Sequence, residues 1–366
     1  MALDPKALLR KGVDSLTPYV PGRTTEEVAR AHGLDASGIV KLASNENALG
    51  PSPAALRALQ GALGKLHRYP DSAARGLRAK LAGRLGVKPG QVFVGNGGDD
   101  VLSVLARTFL NEGEEAVIPA PTFSPYAHVS RVMGARVVTS PLRDFRIDLG
   151  DVRARVTERT KLVFLCSPNN PTGAIVPGRE LVPFLEGLPP RVLVLLDEAY
   201  GDFVEDPEFP DSIALARRHP LIVLRSFSKI YGLAGLRVGF GVGDEGLIGY
   251  MDRVREPFNV NLLAQIAAEA ALDDEAFRRR AVEAVREGRR KLYAAFRRME
   301  LDCLESQANF IFVRVGDGDG VFEALMRQGV IVRPGSVFGC PEWVRVTMGL
   351  PEEDERLLLA LRQALA

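Results

Sequence analysis

The sequence predicts an α/β fold in two parts, a large domain with a mostly parallel sheet sandwiched by helices and a smaller α+β domain. Three observations predict it. Short apolar runs bounded by turn residues alternate with segments of helical period through the middle of the chain. At 366 residues, the chain exceeds the roughly 250–300 residues at which one hydrophobic core stops growing. After about residue 245 the alternation gives way to one long charged, amphipathic stretch.

Taken in order, the buried strands expected are Gln91–Val94, Glu115–Ile118, Arg136–Thr139, Lys161–Leu165, Arg191–Leu196, Leu221–Arg225 and Arg237–Val242, each rich in Val, Ile, Leu or Phe. Asp99–Leu110, Pro125–Met133 and Arg179–Leu185 carry helical patterns between them. Repeated strand–helix–strand units place active residues at the carboxyl ends of the strands. Beyond them, Asp274–Glu300 reads as one helix, Phe310–Arg314 as a strand, Val321–Gln328 as a helix, Trp343–Thr347 as a strand and Glu352–Leu365 as a closing helix. The first fifty residues, with Pro18, Pro21, Pro51 and Pro53 around short elements, are too irregular to fold alone and are expected to pack on this second unit. The expected division is an N-terminal arm and small-domain segment (1–50), a large domain (51–245), an interdomain helical segment (246–290) and a small C-terminal domain (291–366).

Composition excludes several classes of function. With 46% hydrophobic and 25% charged residues the chain is globular. Its 47 Lys+Arg against 46 Asp+Glu leave a net charge of +1, so no overall field favours nucleic acid or an anionic membrane. No stretch approaches the ~20 apolar residues of a membrane span. The start, Met1 to Lys11, lacks the continuous apolar run of a secretory signal, and three dispersed cysteines offer no closed disulfide framework, so a cytoplasmic setting is expected. Four histidines without ligand spacing predict no metal site.

The chemistry lies in four segments. Val192–Leu196 is an apolar strand delivering Asp197 and Glu198 at its end. It resembles a Walker B strand, but the nearest phosphate-loop candidate, around Gly64 and Lys65, has Leu59 and Leu66 at two required positions. The turn Gly95-Asn96-Gly97-Gly98-Asp99-Asp100 fails as a dinucleotide fingerprint because the third glycine position is Asp100. What survives is a glycine-rich strand-to-helix turn that either holds a single phosphate on its N–H groups or needs its glycines only for φ > 0. Ser167-Pro168-Asn169-Asn170-Pro171-Thr172-Gly173 presents an amide at a strand end, as an ordinary turn also does. Leu221–Lys229 ends in Ser226, Ser228 and Lys229, with Arg237 eight residues beyond. Lys229 sits among Phe227, Ile230, Tyr231, Leu233 and Leu236, where desolvation lowers an amine's pKa and raises its nucleophilicity.

Together these pieces specify a cofactor with a phosphate, a pyridine ring and an aldehyde. Gly97, Gly98, Ser226, Ser228 and Arg237 serve the phosphate, Asp197 a ring nitrogen, Asn170 and Tyr200 a ring oxygen and Lys229 the aldehyde carbon. Asp99, in the same glycine turn, joins the cofactor set. Such a cofactor is pyridoxal 5'-phosphate.

Over nearly its whole length the chain resembles the fold-type-I aminotransferases and, within them, the histidinol-phosphate aminotransferases. Asn169 to Gly173, Asp197 to Tyr200, Ser226 to Lys229 and Gly235 to Arg237 carry the wider resemblance. Pro18-Tyr19-Val20-Pro21-Gly22, Asn45-Glu46-Asn47 and His67-Arg68-Tyr69-Pro70 point to the narrower branch. Departures are Gly98 where Ser or Ala is common, Asp100 where Glu is common and Ala48 where Pro is common.

The resemblance implies transamination between L-histidinol phosphate and 2-oxoglutarate, with Lys229, Asp197 and Tyr200 catalytic and the large domain binding the cofactor. It implies that Phe123 stacks on the cofactor ring and that Tyr69 reaches the cofactor phosphate of a neighbouring subunit, so that a homodimer shares its active sites. Arg345, with Arg333 as helper, is expected to hold the substrate's anionic group, together with Tyr19 and Asn47. An ordinary surface role for Arg333 stands beside that reading. Aromatic amino-acid transamination is the nearest alternative, and decarboxylation of threonine phosphate a more distant one.

Overall fold

The structure is a computed structural model that describes residues 3–10, 12–18 and 21–366. Its N-terminal part contributes α1 (Thr25–His32), started by a reciprocal capping box between Thr24 and Glu27, and the short strand β1 (Val40–Lys41). Helices α2 (Pro53–Ala62) and α3 (Arg75–Leu85) follow. The alternating region then gives β2 (Val92–Gly95), α4 (Gly98–Phe109), β3 (Glu115–Ala120), α5 (Pro125–Val132), β4 (Arg136–Pro141), α6 (Leu149–Ala154), β5 (Thr160–Cys166) and α7 (Gly178–Glu186). It continues through β6 (Leu193–Asp197), α8 (Ser212–Ala216), β7 (Leu221–Ser226) and β8 (Gly239–Val242).

These strands form one seven-stranded sheet in the order β2-β8-β7-β6-β5-β3-β4. β8 runs antiparallel to both neighbours and the remaining pairs are parallel. Strand side chains alternate between two cores. Val163, Leu165, Val194, Leu196 and Val223 face one core, with Leu181 of α7 and Ile213 of α8. Leu162, Phe164, Leu195, Ile222 and Leu224 face the other, with Val101 and Leu105 of α4 and Val129 of α5. The strands other than β4 are therefore buried on both sides, as their near-continuous apolar sequences require, whereas β4, expected to be buried, lies at the sheet edge and is largely exposed or half-buried.

Three helices come next: α9 (Glu245–Val254), α10 (Leu262–Leu272) and α11 (Glu275–Arg298). α10 packs on α2 and α3, and α9 on α4. Asp274 caps α11 through Oδ1, which accepts the Phe277 N–H at 3.2 Å, while its Oδ2 accepts the Ser52 hydroxyl at 2.7 Å and the Ala54 N–H at 3.2 Å. A second unit is built from β9 (Phe310–Arg314), α12 (Gly318–Arg327), β10 (Val330–Ile331), β11 (Arg333–Pro334), β12 (Trp343–Thr347) and α13 (Pro351–Leu365). β11, β12 and β9 form an antiparallel sheet whose core includes Leu292 and Phe296 of α11. The N-terminal segment joins this unit, with β1 pairing parallel to β10.

Strand starts shift where turn geometry intervenes. The strand expected from Arg237 begins at Gly239, because Arg237 has φ +56° and leaves the ladder. No helix among the described residues is long and apolar enough to cross a membrane.

Candidate active site

The carboxyl ends of β5, β6 and β7 converge with the N-terminus of α4 on a cavity of about 260 Å³, lined by Asn170, Asp197, Tyr200, Ser226, Ser228, Lys229 and Arg237, with Gly98, Asp99 and Phe123 around them. Most of the cofactor set expected from sequence is thus brought to one place.

Lys229 is held by a hydrogen bond from Nζ to the Ser44 carbonyl at 3.1 Å. Burial, and then the nearby Arg345 guanidinium, lower its pKa from 10.5 to about 8. Asp197 ends β6 and is 5% exposed. Its Oδ2 accepts the Tyr126 hydroxyl at 2.7 Å and its Oδ1 the Ala199 N–H at 2.9 Å. Burial nevertheless raises its pKa to about 6, against the lowering effect of these two bonds. The buried Tyr200 hydroxyl accepts a hydrogen bond from Asn45 Nδ2 at 2.9 Å, and burial pushes its pKa up.

The glycine turn is built for close approach. Gly97 has φ +82°, and a Cβ there would stand 2.7 Å from an Arg237 guanidinium nitrogen. A Cβ on Gly239 of β8 would meet the Gly98 nitrogen at 2.8 Å. Glycine at both places lets the start of α4 face the cavity with its first N–H groups. Arg237 donates to the Ala234 carbonyl at 3.0 Å and pairs with Asp99 at 3.2 Å. The Ser226 hydroxyl accepts the Ser228 N–H at 3.0 Å.

A second cavity, about 190 Å³, shares Phe123, Asn170, Tyr200 and Lys229 with the first and adds Arg333, Arg345 and Phe338. Arg345 donates to Asn170 Oδ1 at 2.5 Å and to the Ala43 carbonyl at 2.6 Å, with its guanidinium 5.3 Å from the Phe310 ring and 5.4 Å from the Phe338 ring. The small sheet thereby reaches into the mouth of the large one.

Two expected residues line neither cavity of their own chain, and a third is not among those described. Asn47 lines neither cavity, because its amide donates to the Ile230 carbonyl at 2.9 Å and accepts the Leu49 N–H at 3.0 Å. Tyr69 is 82% exposed and stacks on Phe258 at 4.7 Å, away from both cavities of its own chain. Tyr19 lies outside the described residues. Sequence reasoning missed Asn45 and Tyr126. Asn45 stands in the same Asn-Glu-Asn triplet as Asn47, and its φ of +55° turns the side chain toward Tyr200. Tyr126 is the second residue of α5 and meets the ring of Phe123, which precedes the helix cap, edge-on at 5.5 Å.

A mostly parallel sheet thus brings a half-buried lysine, a strand-end aspartate and a helix N-terminus to one cavity, an arrangement that suits a lysine-dependent transferase of nitrogen groups. The chain belongs to the aminotransferase class I and II family, whose sequence pattern matches residues 37–361. It is 49% identical to the histidinol-phosphate aminotransferase of Moorella thermoacetica, over 98% of this chain and 93% of that one. It is 46% identical to histidinol-phosphate aminotransferase 1 of Cupriavidus pinatubonensis, over 96% and 95%. Among solved structures, the histidinol-phosphate aminotransferase of Sinorhizobium meliloti in complex with pyridoxal-5'-phosphate superposes with a TM-score of 0.90 at 28% identity, covering 98% of this chain and 97% of that one.

Proposed function

We propose that this chain transfers an amino group between L-histidinol phosphate and 2-oxoglutarate, giving imidazole-acetol phosphate and L-glutamate in histidine biosynthesis, with pyridoxal phosphate as cofactor. The observation that carries the reading is the continuity of the two cavities: the lysine and aspartate site opens directly onto a pair of arginines.

The residues fit the cofactor. The cavity offers N–H groups, hydroxyls and a guanidinium at one end, a carboxylate at the base and a low-pKa amine at the side. When bound, pyridoxal phosphate supplies an aldehyde that joins the substrate amine and a ring that takes up electrons. The start of α4, Ser226, Ser228 and Arg237 would hold its phosphate. Asp197 would keep a proton on the ring nitrogen, Asn170 and Tyr200 would hold the ring oxygen, and Phe123 would cover a ring face. Lys229 would anchor the aldehyde carbon at rest. Once displaced by the substrate amine, its neutral Nζ would take the proton from the substrate α-carbon.

Arg345 and Arg333 would hold the anionic end of each substrate, a phosphate or a carboxylate, by paired N–H donors. Tyr69, exposed on a single chain, would complete the cofactor phosphate site of a neighbouring subunit, so we propose a homodimer with shared sites, working in the cytoplasm. The test is steady-state turnover of histidinol phosphate, phenylalanine and tyrosine side by side with 2-oxoglutarate. Histidinol phosphate should show the highest kcat/KM, and a preference for phenylalanine would replace this reading with an aromatic aminotransferase.

A further inference from the structure

We propose that Tyr126 is the positioning residue of the site: its hydroxyl keeps the Asp197 carboxylate ionised and fixed in direction, while its ring braces Phe123. The inference rests on the reading of Asp197 as the partner of the cofactor's ring nitrogen.

The geometry leaves the phenol little freedom. Tyr126 is fully buried, the second residue of α5. Its ring stacks on Phe164 of β5 at 5.2 Å with 17° between planes, and meets Phe123 edge-on at 5.5 Å and 79°. So clamped, the hydroxyl donates to Asp197 Oδ2 at 2.7 Å, an ordinary O–H···O length that is also within reach of a charged acceptor. The second oxygen is held by the Ala199 N–H, so both oxygens are fixed independently. One side chain thereby touches both the carboxylate assigned to the ring nitrogen and the aromatic assigned to the ring face.

The surroundings make this donor matter. Facing Asp197 are Cys166 from β5, Asp99 from α4, Lys229 beyond β7 and Tyr200. Burial favours the protonated carboxyl, and Asp99 adds to that; Lys229 opposes it through charge alone. Cys166 gives its thiol to the Pro168 carbonyl at 3.3 Å. Tyr126 is thus the side chain among these that donates a hydrogen bond to the carboxylate. A protonated Asp197 has no charge with which to hold a proton on a ring nitrogen.

The test is a pH titration of the Asp197 carboxyl by ¹³C NMR in cofactor-free protein, wild type against Tyr126→Phe. Loss of the hydroxyl should raise the midpoint by about one pH unit, a tenfold gain in proton affinity. In the loaded enzyme the acid limb of the kcat profile should move up with it, and in an Asp197→Asn background Tyr126→Phe should add no further shift. An unchanged midpoint in Tyr126→Phe, even with activity lost, overturns the proposal. If Tyr126→Phe does not fold, the wild type decides: the Tyr126 hydroxyl proton resonance should move with the same midpoint as the Asp197 carboxyl, and separate midpoints overturn the proposal. Should Asp197→Asn turn over normally while the midpoint shift in Tyr126→Phe holds, the failure lies in the assignment of Asp197 and not in this bond.

Discussion

Arg333 and Arg345 stand directly opposite each other in the β11–β12 ladder, so two guanidinium groups rise from the same face of the small sheet into one cavity. Like charges paired across a ladder destabilise a sheet. The arrangement makes sense for an anion carrying two charges. Arg345→Ala should lower kcat/KM for every substrate by about 10²-fold or more, the scale of a lost buried charge contact. Arg333→Ala should hurt histidinol phosphate more than phenylalanine and narrow the gap between them. Equal losses across a substrate panel would show that Arg333 does not read the phosphate.

Lys229 must be neutral to attack an aldehyde. Its pKa of about 8, lowered by burial, predicts that covalent capture of pyridoxal phosphate by cofactor-free protein accelerates with pH and levels off above about 8. Stopped-flow absorbance against pH measures the midpoint. Borohydride reduction and peptide mapping should then place the adduct on Lys229; another residue would refute the assignment.

Tyr69 tests the shared site. Tyr69→Phe should weaken cofactor retention by about 1.5–3 kcal/mol if its hydroxyl bonds a charged phosphate. Mixing inactive Tyr69 and Lys229 variants should restore activity through hybrid dimers holding one intact site. No recovery after verified subunit exchange would mean that each chain is self-sufficient.

Asp354, 5% exposed near the start of α13, accepts the Gly349 N–H at 2.9 Å, yet burial raises its pKa to about 6. A carboxyl whose folded pKa exceeds its unfolded value stabilises most below the unfolded value and loses that contribution as pH rises through the folded one. Asp354→Asn keeps the acceptor and removes the charge. Its Tm relative to wild type should therefore rise between pH 5 and pH 8, by an amount worth roughly 1.4 kcal/mol. A constant difference across that range would show that the carboxyl is not titrating there.

The central sheet was legible because strands buried on both faces are written as unbroken Val, Ile and Leu runs, and Leu193–Asp197 could hardly be anything else. The bounds of α10 within the helical segment expected at 246–290 were not legible, because Leu262–Leu272 carries only Gln265 and Glu269 as polar residues to set a period. In the site, Lys229, Asp197 and Asn170 announced themselves by standing at strand ends. Asn45 and Tyr126 act across 155 and 71 residues of chain, on Tyr200 and Asp197 respectively, and no local pattern carries a contact of that range. Asn47 misled for a local reason: its amide closes its own loop.

Asp274 starts α11 and, with its other oxygen, fastens the head of α2, 222 residues earlier in sequence. A helix cap is usually a private matter between neighbours, but this one behaves as a clasp. One carboxylate thus serves the first turns of both helices, so Asp274→Ala removes the hydrogen bonds of Ser52, Ala54 and Phe277 at once. The loop just before α2 includes Gly50, whose carbonyl lies so close to Gly232, three residues past Lys229, that a Cβ there would stand 2.1 Å from it. The start of α2 is thereby joined to the segment that carries the lysine through one short stretch, where the Ser52 N–H also donates to the Tyr231 carbonyl at 3.2 Å.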